Sequence, residues 1–167
     1  MSQDKEQPKL PIYSILGQFV KDLSFENVYI SKATGAQLKG TPKFDTRADV
    51  SFRQAQKANA QSPNDIYEVN LHMHVKATDV DQNDADTTLF IVEVKYCGVV
   101  SINPDCDQNY IEPLLMVEIP NYLFFELRHF MAHIIWQGGY PPIFLRYVDF
   151  KALYEQKLQQ QKQQSAN

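Results

Sequence analysis

Cysteine is almost missing: Cys97 and Cys106 are the only two in 167 residues. So sparse a pair makes no disulfide framework and points to a reducing compartment, so the cytoplasm is the expected location. Long apolar runs are missing too. No stretch approaches the roughly 20 apolar residues that a membrane span requires, and residues 1–9 have no apolar segment behind them, so neither membrane insertion nor a leader is expected. Cationic excess is absent, with net charge −4 and a pI near 5.5. Nucleic acid is therefore not an expected partner, since its binding is driven by Lys and Arg displacing counterions. There is no P-loop, nucleophile elbow or dinucleotide glycine pattern, which removes the commonest enzyme signatures.

What is present is apolar and aromatic. A hydrophobic content of 44% supports one core and one domain. Nine Tyr and ten Phe exceed what a sparse core needs and hint at an apolar recognition surface. The centre of the chain is residues 66–102. There Tyr67, Val69, Leu71, Met73, Val75 and Ala77 alternate with Glu68, Asn70, His72, His74 and Lys76, which predicts a half-buried strand. A second strand sets Phe90, Val92, Val94, Tyr96, Val100 and Ile102 on one face. Its other face is mixed, with Leu89, Ile91, Glu93, Lys95 and Cys97. Residues 78–88 between them are polar and rich in Asp, so the pair reads as an antiparallel hairpin whose apolar surplus needs cover.

Around this hairpin the reading is simpler. Residues 1–11 form a polar tail. Phe19, Lys21, Leu23 and Phe25 alternate with Val20, Asp22, Ser24 and Glu26, predicting a first strand with Asp22 and Glu26 about 13 Å apart on one face. Residues 27–42 are too long and irregular for a tight turn and predict a crossover. Phe44 to Arg53 alternate as another strand. Further on, Tyr110, Leu114, Leu115 and Val117 predict a short helix disturbed by Pro113. Pro120 opens the clearest helix, carrying Leu123, Phe124, Leu127, Phe130, Met131, Ile134 and Ile135, with Gly138 and Gly139 as its stop. Asp149 is a plausible cap for a last helix through Leu158. Residues 159–167, mostly Gln and Lys, predict a fraying tail.

Few residues carry chemistry. His72 and His74 on a strand, and His129 and His133 one helical turn apart, each place two imidazoles on one face, a loose metal pattern with no glutamate between the helical pair. Exposed histidines on polar faces are the plainer reading, and a small histidine-based metal-binding protein is the alternative. Asp22 and Glu26 read as solvated carboxylates, Cys97 and Cys106 as unreactive thiols. The distinctive feature is an aromatic loop from Tyr140 to Phe144 at the end of an apolar helix. Its rings either fill the core or line a groove.

In order along the chain, several pieces resemble the SecB family of protein-export chaperones. They are Val20-Lys21-Asp22-Leu23-Ser24-Phe25-Glu26, Tyr67-Glu68-Val69, and the strand around Glu93-Val94 and Gly98. Pro120, Leu123-Phe124 and Arg128 follow, then Gly138-Gly139-Tyr140-Pro141-Pro142, Val148-Asp149-Phe150 and Leu153-Tyr154. The resemblance covers residues 12–158 as one chaperone domain. It implies an α+β fold, a four-stranded antiparallel sheet with helices packed on one side, assembled as a homotetramer, a dimer of dimers. The implied function is that of a holdase, not an enzyme. It would keep unfolded precursor proteins competent for translocation and deliver them to SecA, with no metal or cofactor of its own. A holdase serving a toxin–antitoxin system is the related alternative.

The same resemblance assigns residues. Asp22, Glu26, Ile91 and Glu93 match positions that face the zinc-bearing tail of SecA, on what would be an acidic sheet face suited to a basic partner. Val92, Val94 and Tyr96 match positions around subunit contacts. Tyr140 and Phe144 are candidates for the client groove, where apolar contacts must accept many chains. The chain departs from the family at Gly40-Thr41, where relatives often carry an aromatic, and at Phe125-Glu126-Leu127, where they have a proline.

Overall fold

The computed structural model describes residues 12–29, 41–59, 61–80 and 86–165. Four strands make one antiparallel sheet: β1 (Tyr13–Asn27), β2 (Lys43–Gln56), β3 (Asp65–Val80) and β4 (Asp86–Ile102). Their order is β1-β4-β3-β2, so the 66–102 hairpin is central and β1 and β2 are the two edges. Most of the expected crossover lies outside the described residues, as do the N-terminal tail and much of the hairpin loop.

Alternation explains the central pair. Val69, Leu71, Met73, Val75 and Ala77 of β3 and Val92 and Val94 of β4 are fully buried, and register sets Leu71 beside Tyr96 and Met73 beside Val94 on the same face. On that face lie the helices. Gly98 allows the close approach: a Cβ there would lie 2.9 Å from Leu123 Cδ2.

Strand β1 departs from the expected phase. A bulge between Val20 and Asp22 sets both Asp22 and its predecessor Lys21 near Lys95. Leu23 and Phe25 stand opposite Val94 and Val92, on the helix face. Phe19, opposite Cys97, lies on the other face together with Asp22, Ser24 and Glu26. Simple alternation had placed Phe19, Lys21, Leu23 and Phe25 together, and the extra residue is why that grouping is wrong.

The helical course is more continuous than expected. Helix α1 (Gln108–Pro113) passes through a π-helical turn (Leu114–Glu118) into α2 (Ile119–Gln137). Pro113 and Pro120, neither of which can donate a backbone hydrogen bond, flank the wide turn. Asp107 starts the run by accepting the Asn109 amide at 2.9 Å. Leu123, Leu127, Met131 and Ile135, four apart, are fully buried against the sheet. The turn after α2 holds Gly139 at φ 88°, a left-handed conformation that glycine adopts without steric penalty.

The last helix, α3 (Phe150–Ser165), is capped by Asp149, whose Oδ1 accepts the Ala152 amide at 3.0 Å. It runs past Leu158, where the sequence predicted fraying. Gln and Lys are good helix formers and can prolong a seeded helix without packing. Among the described residues, no helix is long and apolar enough to cross a membrane.

Candidate functional site

The sheet face away from the helices is polar, and registered neighbours define it. Glu26 lies across from Ile91, Ser24 across from Glu93, and Asp22 across from Lys95. The four residues assigned from the resemblance to partner docking therefore share one patch at the β1 and β4 end of this face. The face as a whole is not acidic, however. Lys76 and Lys95 share it, as do Arg47 and Arg53 on β2. Charge of both signs follows from alternation, which had shown only which residues share a face and not which strands lie side by side.

Two cross-strand contacts organise the charges. Glu68, buried at 8% exposure, receives Lys21 from β1 and Arg53 from β2, with Asn70 donating as well. This polar strap ties one edge of the sheet to the other. The Lys21 ammonium, and after it the Arg53 guanidinium, hold the Glu68 carboxyl down to about 2 against the opposing effect of burial. Beneath the strap, burial raises the Cys97 thiol, which keeps it protonated and unreactive. The second contact joins His74 Nδ1 to Glu93 Oε1 at 2.8 Å. That hydrogen bond is the main reason the Glu93 carboxyl sits below its ordinary range. Asp22 and Glu26 make no such contact among the described residues.

On the helix side, a cleft of about 710 Å³ opens between β2, which contributes Phe44 and Thr46, and residues 143–148. Phe44, Phe144 and Tyr147 are exposed there. The Arg128 guanidinium lies 5.6 Å from the centre of the Phe144 ring, a cation–π contact that steadies an otherwise open aromatic. Smaller clefts continue along β2 toward α3, lined by Val50, Met116 and Tyr154. At that end Lys157 Nζ donates to the Val50 carbonyl at 2.8 Å and lies 3.3 Å from Asp49 Oδ1. An edge strand otherwise presents unpaired backbone groups, and here a lysine from α3 occupies one of them.

The two groove candidates separate. Phe144 lines the cleft. Tyr140 is held inside the chain: its hydroxyl lies 2.9 Å from Asn27 Oδ1 and 3.0 Å from the Leu89 carbonyl, and its ring lies 4.8 Å from Phe90. Val92 and Val94 are fully buried under α2, and Tyr96 nearly so, within a single chain. They present almost no surface to a second chain. The two histidine pairs lie on opposite sides of the sheet, and among the described residues no group of three metal-ligating side chains converges. His129 Nδ1 contacts the Phe125 carbonyl at 2.7 Å, and the His133 ring packs beside Trp136.

Sequence reasoning missed Phe44 and Tyr147 as cleft residues. The only signal was the aromatic at the start of an alternating strand. Its meaning depended on β2 being an edge, which depends on strand order.

The Preprotein translocase subunit SecB family model matches residues 3–161. The protein-export protein SecB of Wolbachia sp. subsp. Drosophila simulans (strain wRi) is 32% identical over 166 residues, 96% of each chain. That of Jannaschia sp. (strain CCS1) is 35% identical over 150 residues, 90% of this chain and 82% of its own. Among solved structures, the SecB-like chaperone of Mycobacterium tuberculosis, in complex with a ChAD peptide from the HigA1 antitoxin, aligns with a TM-score of 0.58. It covers 81% of this chain and 90% of that one at 9% identity, a likeness of fold. With a family match over nearly its whole length and relatives this similar, the chain belongs to the SecB family.

Proposed function

We propose that this chain is a protein-export chaperone, a holdase that keeps unfolded precursor proteins competent for translocation in the cytoplasm and hands them to SecA. SecB is a family of chaperones, not of enzymes, and the work asked of the chain is selective adhesion. The observation that carries the reading is the cleft along β2, where exposed Phe44, Phe144 and Tyr147 stand beside the last strand of the sheet. Apolar rings and backbone groups recognise extended polypeptide without reading its sequence.

Hand-over to SecA is assigned to the opposite face, where Asp22, Glu26, Ile91 and Glu93 form one patch. Carboxylates there would steer a basic segment and raise its association rate. Self-association into a homotetramer has support in exposed apolar side chains away from the cleft: Ile12 just before β1, Leu16, Phe19 and Leu23 along it, and Tyr122, Phe125 and Trp136 along α2. Side chains of this kind are what a contact between subunits would cover.

The test is suppression of aggregation. A chemically denatured precursor protein is diluted into buffer with the full chain, and light scattering is followed. Wild type is expected to suppress scattering near stoichiometry, and Phe144→Ala with Tyr147→Ala to require several-fold more chaperone. A wild-type chain without effect on scattering would remove the holdase reading.

A further inference from the structure

We propose that His74 competes with the partner for Glu93, so that the docking patch is gated by protonation of this one imidazole. The inference rests on the reading of the Asp22, Glu26 and Glu93 patch as the place where a basic segment docks. His74 and Glu93 are registered directly across β3 and β4, with Nδ1 and Oε1 2.8 Å apart. A carboxylate already engaged by a cation has little to offer a second one. When His74 is protonated the pair is neutral, and when it is neutral Glu93 presents a full negative charge to solvent. The neutral imidazole can still donate a hydrogen bond, but it no longer cancels that charge.

The surroundings make His74 the decisive group. From β2 it is faced by Arg47, whose guanidinium is held by Asp45 at 2.9 Å. Along its own strand the face carries His72 and Lys76. From β4 come Glu93 and Lys95, and beyond them Asp22 and Glu26 from β1. None of the other groups on this face holds a docking carboxylate within ion-pair distance among the described residues. His72 stands opposite Lys95 and Asp49 and does not reach Glu93 by a hydrogen bond. The patch thus has two acids without a partner cation among the described residues, Asp22 and Glu26, and one that His74 engages. Basic partners would dock more weakly once His74 is protonated.

The experiment uses the full chain and a synthetic peptide rich in Lys and Arg, titrated calorimetrically at about pH 6 and about pH 8 at fixed ionic strength. Wild type is expected to bind roughly two- to fivefold more tightly at the higher pH, the range of a partly exposed ion pair. His74→Gln should bind tightly at both, and His72→Gln should keep the wild-type dependence. If Asp22→Asn with Glu26→Gln weakens binding while His74→Gln keeps the full pH difference, the inference is overturned and the docking reading stands. If that carboxylate pair can be removed without weakening the peptide, docking at this patch and its gating fall together.

Discussion

Gly138 lies against the ring of Phe25: a Cβ built on the glycine would stand 2.3 Å from Phe25 Cζ. The contact joins the turn after α2 to strand β1, and Asn27 Nδ2 secures it further by donating to the Gly138 carbonyl at 2.7 Å. Gly138→Ala should therefore destabilise the chain by about 1–3 kcal/mol, the usual effect of overfilling a packed contact. Gly17, where an added Cβ would meet nothing within 4 Å among the described residues, is the matched control. Gly17→Ala should leave the unfolding free energy from urea titration within about 0.5 kcal/mol of wild type.

Removing the carboxylate of the polar strap should be felt at neutral pH. Glu68→Gln is expected to lose about 1–3 kcal/mol, the scale of hydrogen bonds to a charged group. Because the folded carboxyl sits near 2 and its ordinary value is 4.5, its contribution is complete above the ordinary value and fades as pH falls toward the folded one. Urea unfolding of both chains across that window checks this. A gap that stays constant down to the folded value would show that charge at Glu68 is not what binds the strap.

The aromatic loop should divide in two under mutation. Tyr140→Phe removes the hydroxyl that serves Asn27 and Leu89 and should lower stability by about 1–2 kcal/mol. Phe144→Ala should change stability by less than about 0.5 kcal/mol while speeding release of a bound unfolded client. Thermal melts paired with client dissociation kinetics distinguish them, and a client off-rate raised only by Tyr140→Phe would reverse the assignment.

Lys157 offers a test of the β2 edge. Lys157→Met keeps the aliphatic stem and deletes the donor to the Val50 carbonyl. Amide exchange in α3 is expected to quicken several-fold with the global melting temperature nearly unchanged, since a single partly exposed bond is worth about 1 kcal/mol. Peptide-level hydrogen exchange by mass spectrometry reads this directly. Unaltered α3 protection would mean that the Leu153 and Tyr154 contacts alone hold the helix to the sheet.

The strands were legible where both faces differ in polarity. Strict alternation from Tyr67 to Ala77 is a physical consequence of one buried face, and β3 shows it with Val69, Leu71, Met73, Val75 and Ala77 fully buried and Tyr67 partly so. Strand order was not legible, because alternation says which face a residue takes and nothing about its lateral neighbours. That gap hid both the mixed charge of the open face and the cleft at β2. Tyr140 shows a different limit: an aromatic in a loop looks the same in sequence whether its hydroxyl meets water or Asn27. The resemblance to SecB brought Asp22, Glu26, Ile91 and Glu93 forward together, and the register sets them side by side. The partner that binds Glu93 within the chain, His74, had been visible only as half of a loose histidine pair.

The bulge at Lys21 works as a phase inverter. Upstream and downstream halves of one ribbon are threaded in opposite sense, so a single supernumerary residue lets Val20 and Leu23 both turn inward although an odd number of steps divides them. Excising Lys21 would heal the ribbon instead of twisting it: Val20, Asp22 and Leu23 would follow in plain alternation opposite Tyr96, Lys95 and Val94, with Leu23 and Phe25 still turned inward. What the excision would remove is the ammonium that the bulge presents to Glu68.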